Sequence, residues 1–263
     1  MIIHMDNAEE YNNPALYDQE NNAYLEDVKF LSKWAANADG VIIDIACGTG
    51  RATIPLAMEG HHLIGVDLHK GMLDEARSKA AHLQLAIEWV EQDCSKLQLK
   101  MISQLIYSIG NSFQHFLTNE DQDGLLSSVN KHLEMGGLFI FGTRFPSTEE
   151  LLQPPTEEYW RSYVDSETHN AVDVYTISRY DSLQQIQHYT TIRKMKDENG
   201  NIISEASTNI RLRYTYPQEM KRILGANGFE ILHLYKDWHG TPLTDDSVEM
   251  IYVCKKSEKS VTK

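Results

Sequence analysis

The sequence contains little cysteine and lacks the cysteine spacing typical of a metal site. Cys47, Cys94 and Cys254 are scattered through 263 residues, and no two of them form a Cys-x-x-Cys pair. The chain therefore has neither the cysteine density of a disulfide-stapled domain nor the ligand spacing of structural zinc. The sequence predicts free thiols, no metal site and a reducing, cytoplasmic location.

Long hydrophobic runs and an excess of basic residues are also missing. No apolar run approaches the ~20 residues of a membrane span, and the start, MIIHMDNAEEYNNP, lacks the basic and apolar regions of a signal peptide. Only 24 Lys and Arg oppose 38 Asp and Glu, which gives a formal net charge of −14. Phosphate binding needs basic patches, so we expect no nucleic-acid partner and no membrane, whereas a cationic substrate is compatible with this charge. The oligomeric state stays open.

What the first half of the chain does contain is a regular alternation of apolar strands and amphipathic helices. A helix from about Glu20 to Trp34 precedes the first strand, VIIDI, at residues 41–45. Four further strands are predicted at HLIGVD, IEWVEQD, QLIYSIG and GGLFIFGTR, with helices at RATIPLAMEG, GMLDEARSKAAHL and EDQDGLLSSVNKHL. This alternation predicts an α/β, Rossmann-like, doubly wound sheet with right-handed crossovers.

The pattern changes after residue 145. Three segments within 171–216 alternate like half-exposed strands, and Asn199-Gly200 is a strong hairpin signal between the last two. A helix with Pro217 in its first turn and a strand hairpin then complete the core. We therefore expect an N-terminal helical lid at 1–40, a core at 41–145, an inserted small antiparallel sheet at 146–216 and a C-terminal completion at 217–263. The segment LLQPPTEEYWRSY is expected to form an amphipathic cap over the cleft.

The loop after the first strand has the features of a ligand site. Gly48 and Gly50 lack side chains, so a ligand can approach the backbone at the carboxyl edge of the sheet. A dinucleotide fingerprint would need Gly or Ala where Thr53 stands, and a P-loop would need a lysine after Gly50. A nucleoside without a pyrophosphate is the remaining interpretation.

Two acids end the next two strands at the same edge. Asp67 follows the loop at the distance where such folds present a carboxylate to both ribose hydroxyls. Asp93 is placed to accept from an adenine amino group, and Cys94 to donate its backbone N–H to the ring. The alternatives are a helix N-cap or solvated strand end for Asp67, and a turn residue for Asp93.

These motifs together resemble a known family. DIACGTG, GVDLHKGML and EQDC resemble the cofactor motifs of class I S-adenosylmethionine-dependent methyltransferases, from about Tyr17 to Cys254. Within that family, SIGNSFQHF, GTRFPS and RLRYTYP resemble the glycine N-methyltransferase group, and aminosugar N-methyltransferases share the insert. The resemblance implies a seven-stranded methyltransferase sheet and S-adenosylmethionine as the cofactor.

The resemblance also implies roles for individual residues. Asp67 would hold the ribose, Asp93 and Cys94 the adenine, and the Asp44–Gly50 loop the methionine part. The cofactor-binding residues implied are Tyr17, Asp44, Ala46, Gly48, Gly50, Asp67, Leu68, Met72, Asp93, Cys94, Ser108, Gly110 and Asn111. The catalytic residues implied, lining the reaction cleft or facing the substrate, are His115, Arg144 and Tyr216.

This chain departs from the group at two places. Tyr24 stands where the related enzymes carry an arginine for the carboxylate of the cofactor. GTRFPS replaces the group's RNYD, which puts glycine itself in doubt as the substrate.

The chemistry expected of such a site is placement rather than covalent catalysis. The nucleophile must be held behind an already activated methyl group while water is excluded. Tyr17 and Phe113 are candidate neighbours of the sulfonium, and His115 is a candidate base for an amine. The alternatives are a structural hydrogen-bond role for His115 and a surface salt bridge for Arg144.

The leading functional hypothesis is methyl transfer to an amine nitrogen of a small molecule or modified peptide. The runner-up is O-methylation of a small phenol or carboxylate. The third possibility is a cofactor-binding subunit without turnover. The net charge, and the absence of an NPPY-like motif after the fourth strand, disfavour a nucleic-acid methyltransferase.

Overall fold

The computed structural model describes residues 7–257, which form two β-sheets with helices packed around the larger one. Residues 1–6 of the expected lid and 258–263 of the expected C-terminal segment lie outside the described residues. None of the helices within 7–257 is long and apolar enough to cross a membrane.

The larger sheet has seven strands in the order β10-β11-β5-β4-β1-β2-β3. Its strands are β1 (Val41–Ile45), β2 (His62–Asp67), β3 (Glu88–Glu91), β4 (Ser103–Ser108), β5 (Leu133–Arg144), β10 (Phe229–Tyr235) and β11 (Glu249–Lys256). The strands β1 to β5 pair in parallel, whereas β11 runs antiparallel to both β5 and β10. The order reverses beside β1, so ligands are expected at the carboxyl ends of β1 and β4.

The smaller sheet is antiparallel, with four strands in sequence order. They are β6 (Glu158–Val164), β7 (Ala171–Asp181), β8 (Ile186–Lys196) and β9 (Ile202–Arg213). The predicted Rossmann-like sheet and antiparallel insert are confirmed, including the turn at Gly200, whose φ is 84°. The LLQPPTEEYWRSY segment is an exception, because it provides the additional edge strand β6 where an amphipathic cap was expected.

Seven helices flank the sheets in the described part of the chain. They are α1 (Pro14–Asn21), α2 (Glu26–Ala35), α3 (Thr53–Met58), α4 (Lys70–His82), α5 (Asn119–His132), α6 (Thr148–Leu151) and α7 (Pro217–Ala226). The single helix predicted from Glu20 to Trp34 is therefore two helices, and the chain turns between them. Asn13 caps α1 by accepting from the Leu16 N–H, and Pro14 occupies the first turn.

Apolar clusters cover both faces of the central sheet. One face buries Ile43 and Ile45 of β1 against Leu125 of α5 and Leu224 of α7. The opposite face buries Ile42 against residues of α2 and α3. Because β1 is apolar on both faces, its residues 42–45 are all buried, as is typical of a central parallel strand.

Candidate active site

The loop that follows β1 folds back sharply on itself. Ala46, Gly48 and Gly50 all have positive φ angles, of 55°, 55° and 80°. The Cys47 N–H donates to the Val66 carbonyl, and the Gly50 N–H donates to the Cys47 carbonyl, both at 3.0 Å. Glycine adopts this backbone freely, whereas Ala46 does so at a cost of about 1–3 kcal/mol.

Asp67 at the end of β2 joins this loop to the next one. Its two carboxylate oxygens accept from the Gly48 and His69 N–H groups, each at 2.8 Å. The helix N-cap alternative does not apply to Asp67, because His69 caps α4. Burial raises the pKa of Asp67, while the backbone hydrogen bonds oppose that rise. Each oxygen keeps a second lone pair, so the carboxylate can still accept from two adjacent hydroxyls, as a ribose would require.

Asp44 lies beneath the loop and is only 1% exposed. Its Oδ2 accepts from the Thr53 hydroxyl at 2.6 Å. Burial raises the pKa of Asp44 to about 7, against the hydrogen bond from Thr53 that lowers it. The carboxyl therefore supports the loop from below.

Asp93 and Cys94 follow β3 at the same edge of the sheet. Asp93 Oδ1 accepts from the backbone N–H of Ser95 at 2.9 Å and from its hydroxyl at 2.7 Å, so Asp93 caps a short 3-10 helix. Burial works to raise the pKa of Asp93, but the hydrogen bonds from Ser95 and Lys96 bring it below its ordinary value. Cys94 is buried, and burial raises the pKa of its thiol. Asp93 is thus a turn residue here, as the alternative interpretation had it. Its other oxygen, Oδ2, lies 3.2 Å from Lys96 Nζ.

The remaining cofactor candidates differ in exposure. Met72 is buried below Gly48, where a Cβ would lie 3.3 Å from its Cε. Ser108 ends β4 and is buried, whereas Leu68 is 39% exposed.

A cavity of about 570 Å³ lies between the N-terminal helices, the carboxyl ends of β4 and β5, and the smaller sheet. Five of the predicted site residues line it, namely Tyr17, Gly110, Asn111, His115 and Arg144. Asp44, Ala46, Gly48, Gly50, Asp67, Leu68, Met72, Asp93, Cys94, Ser108 and Tyr216 do not line it. The structure thus brings the candidates into two neighbouring groups, one around the loop and Asp67 and one around the cavity.

His115 has both ring nitrogens engaged. The amide oxygen of Asn7 accepts from the Arg211 N–H at 2.6 Å, so the amide nitrogen of Asn7 is the group that donates to His115 Nδ1 at 3.1 Å. Burial, followed by Arg144, lowers the pKa of His115 to about 4, and the ring is therefore neutral at pH 7. With Nδ1 accepting, Nε2 carries the proton and donates to the Tyr11 hydroxyl at 2.8 Å. No lone pair of His115 is left for a substrate proton in this arrangement.

Arg144 at the end of β5 is also engaged. Its Nη1 lies 3.0 Å from Glu150 Oε1, and its guanidinium lies 5.7 Å from the centre of the Tyr189 ring. The hydroxyls of Tyr189 and Tyr214 donate to the same Glu150 oxygen, at 2.7 and 2.5 Å. Arg144 is therefore part of an ion pair in the cavity wall, and its charge is already compensated.

Tyr216 is not brought to the cavity. It is 40% exposed at the start of α7 and lies beside Tyr180, whose pKa is raised by burial and by a hydrogen bond with Tyr216. Tyr214, two residues earlier, is fully buried and reaches Glu150. Neither tyrosine lines the cavity, although Tyr214 contacts Glu150 in its wall.

Tyr24 stands where related enzymes carry an arginine, and a different arginine lies beside it in this structure. Tyr24 lines the cavity, and the cation beside it is Arg51, which follows the glycine loop. Arg51 pairs with the buried Asp27 through Nη1 at 2.9 Å and Nη2 at 2.5 Å. Only the position of Arg51 directly after Gly50 could have indicated it from sequence.

The N-terminal helices are fastened over the site at two places. Arg193 of β8 contacts Glu10 and Glu20, both at 3.0 Å. On the other side, Asp18 of α1 accepts from Thr49 at 2.5 Å and pairs with Lys79 at 2.6 Å. The segment from residue 10 to residue 20 thus bridges the loop after β1 and the smaller sheet.

Comparison with known proteins shows a methyltransferase domain in this chain. Residues 42–137, which contain the loop, Asp67 and Asp93, match the model of a methyltransferase domain. The chain therefore contains a methyltransferase domain and has the fold of S-adenosylmethionine-dependent methyltransferases. A putative methyltransferase of Geobacillus sp. (strain WCH70) is 25% identical over 229 residues, which cover 87% of this chain and 89% of that protein.

Solved structures share the fold of this protein over nearly the whole chain. An S-adenosylmethionine-dependent methyltransferase from Clostridium acetobutylicum ATCC 824 gives a TM-score of 0.77 at 22% identity, covering 93% of this chain and 97% of that one. The sugar N-methyltransferase KedS8 from Streptoalloteichus sp. ATCC 53650 gives a TM-score of 0.72 at 16% identity and covers 94% of each chain.

The chemistry of the site fits the cofactor. Asp67 retains the lone pairs that a ribose diol needs, and Gly110 leaves the backbone after β4 open toward the cavity, since an added Cβ would first meet the Tyr17 hydroxyl at 3.9 Å. No group of three or more His, Cys, Asp or Glu within residues 7–257 is arranged to hold a metal ion. Cys47, Cys94 and Cys254 are buried free thiols.

Proposed function

We propose that this methyltransferase transfers the methyl group of S-adenosylmethionine to an amine nitrogen of a small molecule or modified peptide. The observation that carries the proposal is the charge of the cavity beside Gly110 and Asn111. Five carboxylates and four guanidinium groups line it, and His115 is neutral, so the wall has a surplus negative charge. Such a wall favours a cationic acceptor, and an amine is a cation at neutral pH.

The residues around the loop and Asp67 would bind the cofactor, and the residues around the cavity would bind the acceptor. Asp67 would hold the ribose, the loop from Asp44 to Gly50 the methionine part, and the edge formed by Asp93 and Cys94 the adenine. The bound cofactor supplies an electrophilic methyl group on a positively charged sulfur. Tyr17, Gly110 and Asn111 lie where the two groups meet, and they would border the reacting atoms.

His115 would act on the reaction through Tyr11. The His115 ring donates to the hydroxyl oxygen of Tyr11, which lines the cavity, and this leaves the O–H of Tyr11 free to donate to another group. Burial raises the pKa of Tyr11, so the hydroxyl keeps its proton and can donate a hydrogen bond to the acceptor. The N-terminal helices would exclude water, which protects the site from side reactions and strengthens its electrostatic interactions.

The pairing of Arg144 bears on the runner-up function. A carboxylate acceptor would need a free cation, yet Arg144 already has Glu150 as its partner. The match to KedS8, a sugar N-methyltransferase, covers 94% of each chain, and this likeness supports an amine acceptor. The three buried free thiols are consistent with a cytoplasmic location.

The test is incubation of the enzyme with S-adenosylmethionine and matched acceptors that differ only at the reacting group. Primary and secondary amines, including aminosugars and short peptides with a free N-terminus, are compared with their hydroxyl and thiol counterparts by mass spectrometry. We expect the amines to gain the mass of one or two methyl groups. Methylation confined to the hydroxyl or thiol compounds would contradict the proposal, and cofactor binding without any product would favour a non-catalytic subunit.

A further inference from the structure

The surplus negative charge of the cavity belongs to one residue. Four of the five acids in the wall form ion pairs with its arginines: Asp27 with Arg51, Glu150 with Arg144, Glu20 with Arg161 and Arg193, and Glu10 with Arg193. Glu249 is the fifth, and it forms no ion pair with any residue between 7 and 257. A half-buried carboxylate without a cation is costly unless something else compensates it.

The sheet topology explains how Glu249 reaches the site. It is the first residue of β11, directly opposite Arg144, the last residue of β5. Because β11 is antiparallel, its beginning lies at the edge where the parallel strands end. Glu249 there accepts a hydrogen bond from Asn111, which follows β4. The buried Trp238 lines the same cavity and offers an aromatic surface to a cation.

The surroundings of Glu249 make its carboxyl more basic than usual. Burial is the largest influence and raises the pKa, and the negative charges of Asp27 and Asp237 raise it further. Arg144 and the hydrogen bond from Asn111 lower it, but the net direction is upward.

We propose that Glu249 binds the ammonium group of the acceptor and removes its proton before methyl transfer. The inference rests on the proposed amine acceptor. The proton passes from the nitrogen to a carboxylate oxygen of Glu249, and the electron pair of the N–H bond stays on nitrogen as its lone pair. Only the neutral amine has this lone pair, so the proton must leave before nitrogen can react.

The other candidate bases in the cavity are occupied. His115 has both ring nitrogens in hydrogen bonds, with Asn7 and Tyr11. Glu150 already receives Arg144 and two tyrosine hydroxyls on one oxygen. Glu249 is therefore the acid in the wall with capacity for both the positive charge and the proton.

The experiment compares wild type, Glu249→Gln and a matched control, Glu230→Gln. Glu230 is an exposed acid on β10 of the same hairpin, so its substitution makes the same charge change away from the cavity. The acceptor is the amine that wild type methylates fastest in the panel described above. Steady-state kinetics are measured between pH 6 and 10, and cofactor affinity is measured by calorimetry.

We expect Glu249→Gln to lower kcat/KM near pH 7 by about 100-fold or more, the usual contribution of a general base. The loss should shrink as pH approaches the pKa of the amine, where the acceptor arrives neutral. Cofactor affinity and the melting temperature should stay within about twofold and a few degrees of wild type, as in Glu230→Gln. The quaternary ammonium derivative of the acceptor, which keeps its charge but has no proton to lose, should inhibit wild type at least tenfold more strongly than Glu249→Gln.

Different results overturn different statements. An amine methylated equally well by wild type and Glu249→Gln leaves the proposed function standing and removes Glu249 from it. A loss of activity that is the same at every pH, or a tenfold loss of cofactor affinity, assigns Glu249 to structure or to the cofactor and overturns its role as base. If wild type methylates only hydroxyl or thiol compounds, the proposed function fails, and the ammonium role of Glu249 fails with it.

Discussion

The buried carboxyl of Asp44 should make the cofactor-free protein less stable as pH rises. Its pKa is about 7 in the folded chain, whereas an unfolded aspartate titrates near ~3.9. Between these values the folded state holds a proton that the unfolded state has lost, so the free energy of unfolding falls with increasing pH. A separation of about three pKa units corresponds to about 4 kcal/mol in total, of which about 2–3 kcal/mol falls between pH 5 and pH 8.

Asp44→Asn removes this titration and keeps the shape of the side chain. The amide oxygen can accept from Thr53 as the carboxylate does at 2.6 Å. Urea unfolding of both proteins, followed by tryptophan fluorescence at pH 5, 6, 7 and 8, gives the difference in unfolding free energy. We expect wild type to lose about 2–3 kcal/mol more than the variant over this range, because groups such as His115 titrate in both and cancel. A difference that stays constant with pH would refute the argument that Asp44 holds a proton at neutral pH.

Two further predictions concern packing and a histidine. Gly65→Ala should destabilise the protein by about 1–3 kcal/mol in thermal or urea unfolding, because the new Cβ would lie 2.4 Å from Trp89 Cζ3. The matched change Gly225→Ala, in an open position on α7, should instead be neutral or stabilise by up to about 1 kcal/mol, and similar losses at both sites would contradict the packing argument. The ring of His115 should titrate near pH 4 by NMR; since this lies below the unfolded value, stability rises with pH across that interval and is lost on acidification. A titration of the His115 signals near pH 6.5 would show that burial and Arg144 do not hold the ring neutral.

The central sheet was predictable because its signals are local. VIIDI is apolar on both faces, and the glycines and Asp67 occur at strand ends, so periodicity and spacing located the loop and its acid. The same reasoning failed for β6, where exposed residues such as Tyr159 and Trp160 give no alternation of burial. It also merged α1 and α2, since the turn between them, from Asn22 to Leu25, carries no proline or glycine to mark a break.

The cavity was less predictable because its contacts join residues far apart in sequence. Tyr11 meets His115 across 104 positions. Arg144 faces Glu249 only because β11 pairs with β5, and no local pattern reports that register. The motif that indicated Tyr216 marks a region, whereas burial decides which side chain points inward, and here Tyr214 is buried while Tyr216 is 40% exposed.

Calorimetric titration of S-adenosylmethionine into wild type and Asp67→Asn tests the central claim most directly. Loss of charge-assisted hydrogen bonds worth about 1.5–3 kcal/mol each should weaken binding by about 100-fold, while unfolding midpoints check that the variant as a whole remains folded. Equal affinity of the two proteins, or no binding by wild type, would contradict the account of how this chain holds its cofactor.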